Sequence, residues 1–177
     1  TGAGKPALHR NVSGLILQLP QPNSEVWLFD CGEGTQQQIL KSPFSLAKIR
    51  RIFITHLHGD HIFGLPGLLG SRSFSAQDKP LVIYGPVGIR EFIEVAMRIS
   101  GTNLSYSLTI NEIEPDGKLQ IDGWTISAKS VEHLPPAFGY RIEEPARPGK
   151  LDVDKLQRDN VPPGPIYGKL KQEIGRA

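Results

Sequence analysis

Short apolar stretches rich in β-branched residues recur along the chain between turn signals, and this alternation predicts a series of strands. Six stretches carry the pattern: VSGLILQL (12–19), EVWLFD (25–30), RRIFIT (50–55), PLVIYG (80–85), SLTINEIE (107–114) and WTISAKSVEH (124–133). One stretch has helical spacing instead, because Ile89, Phe92, Ile93, Ala96 and Met97 recur at intervals of three and four residues. Strands with helices interposed predict an α/β fold in which helices cover sheets.

The texture of the sequence changes after Glu143, where charge, proline and glycine replace the β-branched runs. We therefore expect one domain over residues 1–143 and an appendage over residues 144–177. The chain opens on Thr1 in a glycine-rich turn, without an initiator methionine, and ends without an obvious final element. These ends predict a piece of a longer polypeptide.

Composition indicates the cellular compartment of the protein more clearly than its function. The chain has 177 residues with 38% hydrophobic content, enough to bury a core, and a single cysteine, Cys31, which excludes a disulfide framework. No apolar run approaches membrane-spanning length, so we expect a cytoplasmic protein without a membrane partner. The formal net charge of +2 is compatible with a nucleic-acid partner but does not select one.

The stretch ITHLHGDHIFGLPG (54–67) places His56, His58, Asp60 and His61 within six positions. Imidazole and carboxylate groups are the usual zinc ligands at catalytic sites. His56 and His58 are two residues apart at the end of a predicted strand, so their rings are expected to point the same way. After a turn at Gly59, Asp60 and His61 can face a neighbouring position. The spacing predicts two metals, although any one histidine alone is more often structural.

Two other strand ends supply candidates for the same site. His133 closes the predicted strand 124–133 and could complete the ligand set of the first metal. Asp30 lies in FDCGEGTQQQ (29–38), where it could accept a hydrogen bond from a ligand histidine or be a simple turn carboxylate. Thr35 in the same stretch is expected to cap a helix, and Cys31 to be a small buried apolar group. His9 has no such support and is expected at the surface.

Several motifs together resemble a known family. FDCGEGTQQQ, HLHGDHIFGLPGLL, YGPVGIREF, FGYRIEE and VPPGPIYGKLK are similar to the motifs of bacterial ribonuclease Z, the tRNA 3′-processing endonucleases of the metallo-β-lactamase superfamily. The metal motif alone is shared across that superfamily, whereas the whole set is specific. The similarity extends to about Lys171 and implies the metallo-β-lactamase fold, an αββα sandwich, of which this chain would hold the N-terminal half.

The resemblance implies a role for each matching residue. It places His56, His58 and His133 on one Zn²⁺ and Asp60 and His61 on a second, with Asp60 also a candidate base for the attacking water. Asp30 matches a supporting residue of the family. The remaining matches concern substrate: Arg10 and Asn11, with Pro6, resemble a loop near the cleavage region, and Gly164 and Pro165 match the Gly-Pro element of a flexible tRNA-binding arm that begins near residue 144.

The activity implied is removal of the 3′ trailer from precursor tRNA by a homodimer, leaving a 3′-hydroxyl on the tRNA. The family has a further bridging aspartate and further histidines in its C-terminal half, and this chain has no matching residues. Two alternatives stay open on the residues. One is a different binuclear metallohydrolase of the same fold, and the other is a non-catalytic tRNA-binding fragment if the polypeptide ends at Ala177.

Overall fold

The computed structural model describes residues 4–20, 24–145 and 151–174. Its strands are β1 Leu15–Gln18, β2 Val26–Phe29, β3 Ile49–Phe53, β4 Leu81–Gly85, β5 Leu108–Glu112, β6 Lys118–Ile121, β7 Trp124–Val131 and β8 Ala137–Glu143. Its helices are α1 Thr35–Leu40, α2 Gly59–Ile62, α3 Leu65–Arg72, α4 Ile89–Ser100, α5 Val153–Arg158 and α6 Pro165–Ile174, with a 3₁₀ turn at Leu46–Lys48. In the described part of the chain, no helix has the length and apolar character needed to cross a bilayer.

The six predicted strands and the predicted helix α4 are confirmed. Two further strands, β6 and β8, were not predicted from the sequence. β6 is only four residues long and has one buried side chain, and β8 carries the mixed sequence AFGYRIE. Neither offers a run of β-branched residues. The short helices α1, α2 and α3 were not delimited either, because each is too brief to show helical periodicity.

The chain divides into two compact units. The first comprises Thr1–Lys118 and Ser127–Arg141, and the second Leu119–Ile126 and Ile142–Ala177. Within the second unit, the described residues beyond 150 form α5 and α6 and no strand, in keeping with the predicted change of texture. Residues 146–150 and 175–177 of the predicted arm lie outside the described residues. The predicted domain boundary at residue 144 stays a prediction.

The five-stranded sheet has the order β1-β2-β3-β4-β5, with β1 antiparallel to β2 and the other pairs parallel. Buried Val, Leu and Ile concentrate in β2, β3 and β4, whereas the edge strand β5 buries only Ile110. Because β2 and β3 run in the same direction, the segments that follow them emerge at the same edge of the sheet. Asp30 follows β2 and the histidine-rich segment follows β3, so the sheet topology brings both to one edge.

Aromatic side chains on three adjacent strands form a ladder across this sheet. Phe29, Phe53 and Tyr84 occupy paired positions, and the Phe53 ring centroid lies 5.0 Å from that of Phe29 and 5.1 Å from that of Tyr84. Tyr140 on β8 contacts Phe53 edge-on at 5.5 Å and donates its hydroxyl to the Ile54 carbonyl at 2.8 Å. These contacts anchor the start of β8 at the carboxyl end of β3, which brings the segment between β7 and β8 to the same edge.

Backbone segments cross without intervening side chains at this edge. The Cys31 amide donates to the His61 carbonyl at 2.7 Å, and the Gly64 amide donates to the Cys31 carbonyl at 2.9 Å. A Cβ at Gly32 would lie 2.0 Å from the Asp60 carbonyl oxygen. Only glycine allows this approach, so position 32 fixes the distance between the segment after β2 and the one after β3.

We therefore expect Gly32→Ala to lower the free energy of unfolding by about 2 to 3 kcal/mol, because backbone atoms must move to admit the methyl group. The matched control is Gly67→Ala within α3, where the nearest atom, at 3.3 Å, belongs to the flexible Gln36 side chain. The control should be neutral or stabilise the helix by up to about 1 kcal/mol. Urea unfolding measures both, and equal unfolding free energies for the two variants would contradict the account.

Candidate metal centre

The predicted ligands come from two segments of the first unit, residues 56–61 and the loop after β7. His56 and His58 lie beyond β3, which ends at Phe53, and Asp60 and His61 belong to α2. His133 lies two residues beyond the end of β7 at Val131. The expectation that strand alternation aims His56 and His58 together is therefore wrong, as is the placement of His133 on a strand. These histidines lie on loops, and the loops converge through the backbone contacts between neighbouring segments.

Three imidazole nitrogens converge at this edge. His56 Nε2 lies 3.1 Å from His58 Nδ1, and His133 Nε2 lies 3.3 Å from the same His58 atom. The ligand atoms of all three residues lie within 4.8 Å of one another. Nitrogens bound to one tetrahedral zinc at about 2.0–2.1 Å would be separated by about 3.3 Å. The three nitrogens therefore have the spacing of ligands to a shared ion.

Hydrogen bonding among the rings does not account for this arrangement. A neutral imidazole has one N–H and one bare nitrogen, so a proton on His58 Nδ1 could serve one of the two neighbouring nitrogens but not both. A cation satisfies all three bare nitrogens at once. His58 and His133 are exposed while His56 is buried, so a cation held here would keep a side open toward solvent.

Asp60 and His61 form a second pair beside the first group. Asp60 Oδ2 lies 3.5 Å from His61 Nε2, and the His61 ring centroid is 4.0 Å from that of His56. A carboxylate oxygen and an imidazole nitrogen at this separation suit two positions on a further metal ion. Among the described residues, His56, His58 and His133 are the only group of three that meets the spacing for a metal site, so the pair alone is an incomplete ligand set.

The Asp30 carboxylate supports both groups from beneath. It is 5% exposed and accepts hydrogen bonds from the Thr55 amide at 2.8 Å, the Thr55 hydroxyl at 3.0 Å and the Ser13 hydroxyl at 3.1 Å. His61 Nδ1 lies 2.7 Å from its Oδ2. Asp30 itself has a left-handed backbone, with φ of 58°, which turns the side chain back under the histidine segment.

These hydrogen bonds decide which histidine nitrogens are free to bind a metal. A carboxylate only accepts, so His61 Nδ1 carries the proton and leaves Nε2 bare. The Thr55 hydroxyl donates to Asp30, so its oxygen accepts from His56 Nδ1 at 2.9 Å and again leaves Nε2 bare. One buried carboxylate thus orients a ring in each ligand group, the arrangement typical of the support behind metal-binding histidines.

Burial shifts the ionisation of two groups near the site. Burial and then the neighbouring imidazoles of His61, His133 and His58 lower the pKa of His56 from 6.5 to about 4, so the ring is neutral, as a ligand must be, near pH 7. Burial raises the pKa of the Cys31 thiol to about 12. Cys31 is therefore a protonated, buried group and no nucleophile, as its sequence context indicated.

The remaining predicted residues lie outside the ligand groups. Arg10 is exposed and pairs through its backbone with Ala7, while the Asn11 amide packs beside Gly34. His9 is exposed, as expected. Thr35 is not a helix cap, because α1 begins at Thr35 itself after Gly34, and its hydroxyl makes no cap hydrogen bond.

In the second unit, Gly164 and Pro165 lie at the start of α6. The Gly164 carbonyl accepts a hydrogen bond from the Tyr167 amide at 3.0 Å. The substrate-binding roles implied for these two residues and for Arg10 and Asn11 stay predictions.

Two partners of Asp30 were missed from the sequence. Ser13 and Thr55 each lie two residues outside a strand, and no spacing distinguishes them from other serines and threonines of the chain. Phe63 was also missed, although it follows the metal motif directly. Its ring lies against Gly59, between the ligands His58 and Asp60.

Comparison with known proteins identifies relatives of the chain. A family model described as Anti-Pycsar protein Apyc1 matches residues 2–145. Ribonuclease Z from Lactiplantibacillus plantarum is 54% identical over 172 residues, covering 97% of this chain and 55% of that protein. Ribonuclease Z from Enterococcus faecalis is 55% identical over 174 residues, covering 97% of this chain and 56% of that protein. The chain thus spans just over half the length of these curated relatives.

Solved structures agree on the fold. Human tRNase Z, short form, superposes with a TM-score of 0.76 at 38% identity, covering 83% of this chain and 64% of that one. The metallo-β-lactamase fold protein YhfI from Bacillus subtilis superposes with a TM-score of 0.65 at 21% identity, covering 81% of this chain and 56% of that one. These likenesses confirm the predicted α/β metallo-β-lactamase fold and the resemblance to ribonuclease Z. The fold implies metal ions as cofactors, and the three-histidine group fits them.

The lowered pKa of His56 makes the stability of the metal-free fold depend on pH. Between about pH 6.5 and pH 4 the unfolded chain binds a proton at this position that the folded chain does not, so the contribution of His56 to stability is full above pH 6.5 and falls with decreasing pH. In chelator-treated protein, His56 should lower the free energy of unfolding by about 2 to 3 kcal/mol from about pH 7 to about pH 4.5, and this part is the difference between wild type and His56→Gln.

Urea unfolding across this range tests the assignment. His56→Gln should flatten the pH dependence in the window, whereas His9→Gln, at the exposed histidine, should leave it intact. A His56→Gln variant with the wild-type slope would show that another group carries the effect.

Proposed function

The chain belongs to the Anti-Pycsar protein Apyc1 family, and we propose that the whole protein is a tRNA 3′-processing endoribonuclease. Two findings support this activity. The chain has the metallo-β-lactamase fold, and more than half of its residues are identical to those of proteins named ribonuclease Z. The whole protein would use two zinc ions to remove the 3′ trailer from precursor tRNA. The observation that carries the proposal is the convergence of His56, His58 and His133 beside the Asp60–His61 pair.

The family model and the ribonuclease Z relatives carry different names, and the sequence identity to the relatives favours the nuclease. The family model covers residues 2–145, whereas the ribonuclease Z relatives match 97% of the chain at 54 and 55% identity. That match includes α5 and α6, which lie beyond the family model. The rival function, hydrolysis of another substrate by the same kind of centre, would give these two helices no evident role.

The chemistry asked of the site is hydrolysis of a phosphodiester. Water adds to phosphorus, the bond from phosphorus to O3′ breaks, O3′ takes up a proton, and the trailer keeps a 5′-phosphate. A bound pair of divalent metals would lower the pKa of water and stabilise charge on the entering and leaving oxygens. Zinc suits the first group because three neutral imidazoles with an open position are a common catalytic zinc set.

The residues of this chain supply the ligands and a proton acceptor. His56, His58 and His133 would hold one ion, and Asp60 and His61 part of the second. Asp60 is partly exposed at the site, so its carboxylate can also accept the proton that the attacking water loses. Asp30 would not touch substrate; it positions His56 and His61 through the hydrogen bonds described above.

Other parts of the proposal concern the whole protein. Because the chain spans just over half of its relatives, the ligands that complete the Asp60–His61 pair would come from the matching remainder of the polypeptide. Residues 144–177, with Gly164 and Pro165 at the start of α6, would belong to an arm that grips the tRNA, and Arg10 and Asn11 would lie near the cleaved strand. A homodimer acting on precursor tRNA in the cytoplasm is the assembly that the resemblance favours.

We expect Asp60→Ala in the whole protein to lower the rate of precursor tRNA cleavage at least about 100-fold, because a metal ligand and a proton acceptor are lost together. Affinity for precursor tRNA should change little, since folded RNA is held largely through its shape and phosphates. Single-turnover cleavage and filter binding measure the two quantities. Glu91→Ala, at an exposed carboxylate on α4, is the matched control and should behave as wild type.

Each outcome points to a different account. Wild-type cleavage by Asp60→Ala would remove Asp60 from the mechanism. A zinc-loaded wild-type protein that binds precursor tRNA without cutting it would support a non-catalytic tRNA-binding role. Hydrolysis of a simple nitrophenyl phosphodiester, without binding or cleavage of precursor tRNA, would support the rival metallohydrolase.

A further inference from the structure

Phe63 is a large apolar side chain left at the surface directly beside the metal ligands. It is 64% exposed, although it sits one turn after Gly59 in the densest part of the motif. A Cβ at Gly59 would lie only 2.2 Å from the Phe63 ring, so the ring rests directly on the backbone between His58 and Asp60. Glycine at position 59 is what allows the ring to lie there.

A second aromatic ring supports this position from the side. The Phe63 ring centroid lies 6.4 Å from that of Phe92 on α4, with the ring planes 28° apart. With Gly59 against one part of the ring and Phe92 beside it, the ring is held in place while most of its surface stays in solvent. A fixed and exposed aromatic ring is the kind of surface on which a planar ligand stacks at small entropic cost.

A cavity of about 430 Å³ opens onto the ring and onto the ligands themselves. Its lining includes Lys5, Pro6, Glu33, His58, Asp60 and Phe63. The volume falls within the range of roughly 300–1,000 Å³ found for small-molecule sites. The lining combines the aromatic ring with one cation, Lys5, and two carboxylates, so it offers a phosphate alone little attraction but offers a planar base a ring to stack on.

We propose that Phe63 is a stacking platform for the nucleobase next to the scissile phosphate, with the cavity holding that nucleotide. This rests on the proposed function and adds to it a residue that binds substrate without binding metal. The base would lie on the exposed part of the Phe63 ring, and Lys5 would lie within the same cavity to meet the phosphate backbone. Stacking is tolerant of base identity, so the subsite would position the strand without selecting a sequence.

The test combines a change in the protein with a change in the RNA, using the whole zinc-loaded protein. Phe63→Ala should lower kcat/KM for precursor tRNA about tenfold, from the loss of one base–aromatic stack. Precursor tRNAs carrying a single abasic nucleotide on one or the other side of the scissile phosphate supply the second change. At the stacked position, the abasic RNA should cost the wild type about tenfold and cost Phe63→Ala little further, because the same contact has already been removed.

Controls separate stacking from a structural role of the ring. Phe74→Ala removes a phenylalanine that is 90% exposed, lies after α3 and is absent from the cavity lining, so it should leave both the rate and the abasic effect unchanged. Phe63→Tyr keeps the plane of the ring and should restore kcat/KM. Zinc content should be the same in all variants, since Phe63 donates no ligand atom.

Additive losses from Phe63→Ala and from both abasic positions would overturn the stacking role while leaving the endonuclease standing. A Phe63→Ala variant that loses zinc, and is not rescued by tyrosine, would also overturn it, by showing that the ring only supports the motif. A wild-type protein that does not cleave precursor tRNA would overturn the proposed function, and the nucleotide subsite with it.

Discussion

The Asp30 carboxylate is the interaction on which the rest of the site depends. It is buried, and its hydrogen bonds reach the segment before β1 through Ser13, the segment after β3 through Thr55 and α2 through His61. A buried charge is stable only when its oxygens are satisfied, and here Asp30 accepts hydrogen bonds from all of these segments. Removing the carboxylate would leave the Thr55 amide unpaired and free the His61 ring to rotate.

The ligand geometry follows from this anchor together with close backbone packing. Asp30 fixes the tautomers of His56 and His61, and Gly32 lets the backbone at Asp60 approach it directly. The aromatic contacts of Tyr140 then hold the start of β8 beside β3, so that the preceding segment delivers His133. Two segments distant in sequence, one carrying His56 and His58 and the other His133, thus present bare nitrogens to one point. Few residues would bind the metal, but the residues that position these ligands are spread over much of the first unit.

The sequence was sufficient to predict the strands of the main sheet and helix α4, and it singled out the three histidines that the structure brings together. A strand such as β2, in which three consecutive residues are buried, shows as a continuous apolar run, and the His56–His61 cluster is too dense to be incidental. The sequence pattern did not reveal why the candidate ligands converge. His133 was placed on a strand that ends at Val131, because apolar alternation does not mark where hydrogen bonding between strands stops.

The supporting residues were hidden from the sequence for a different reason. Hydrogen bonds to Asp30 join residues up to 31 positions apart, and close approaches such as that of Gly32 to Asp60 depend on how loops cross. No local periodicity encodes either feature. The exposed ring of Phe63 was likewise invisible, since an aromatic after a metal motif reads as ordinary core until its burial is known.

The most direct test of the account is an anomalous difference map recorded at the zinc absorption edge from crystals of the whole protein. The account predicts a peak about 2.0–2.1 Å from His56 Nε2, His58 Nδ1 and His133 Nε2. A zinc-saturated crystal with no peak at that point, or with zinc bound through other residues, would contradict the claim that these three histidines form the metal centre.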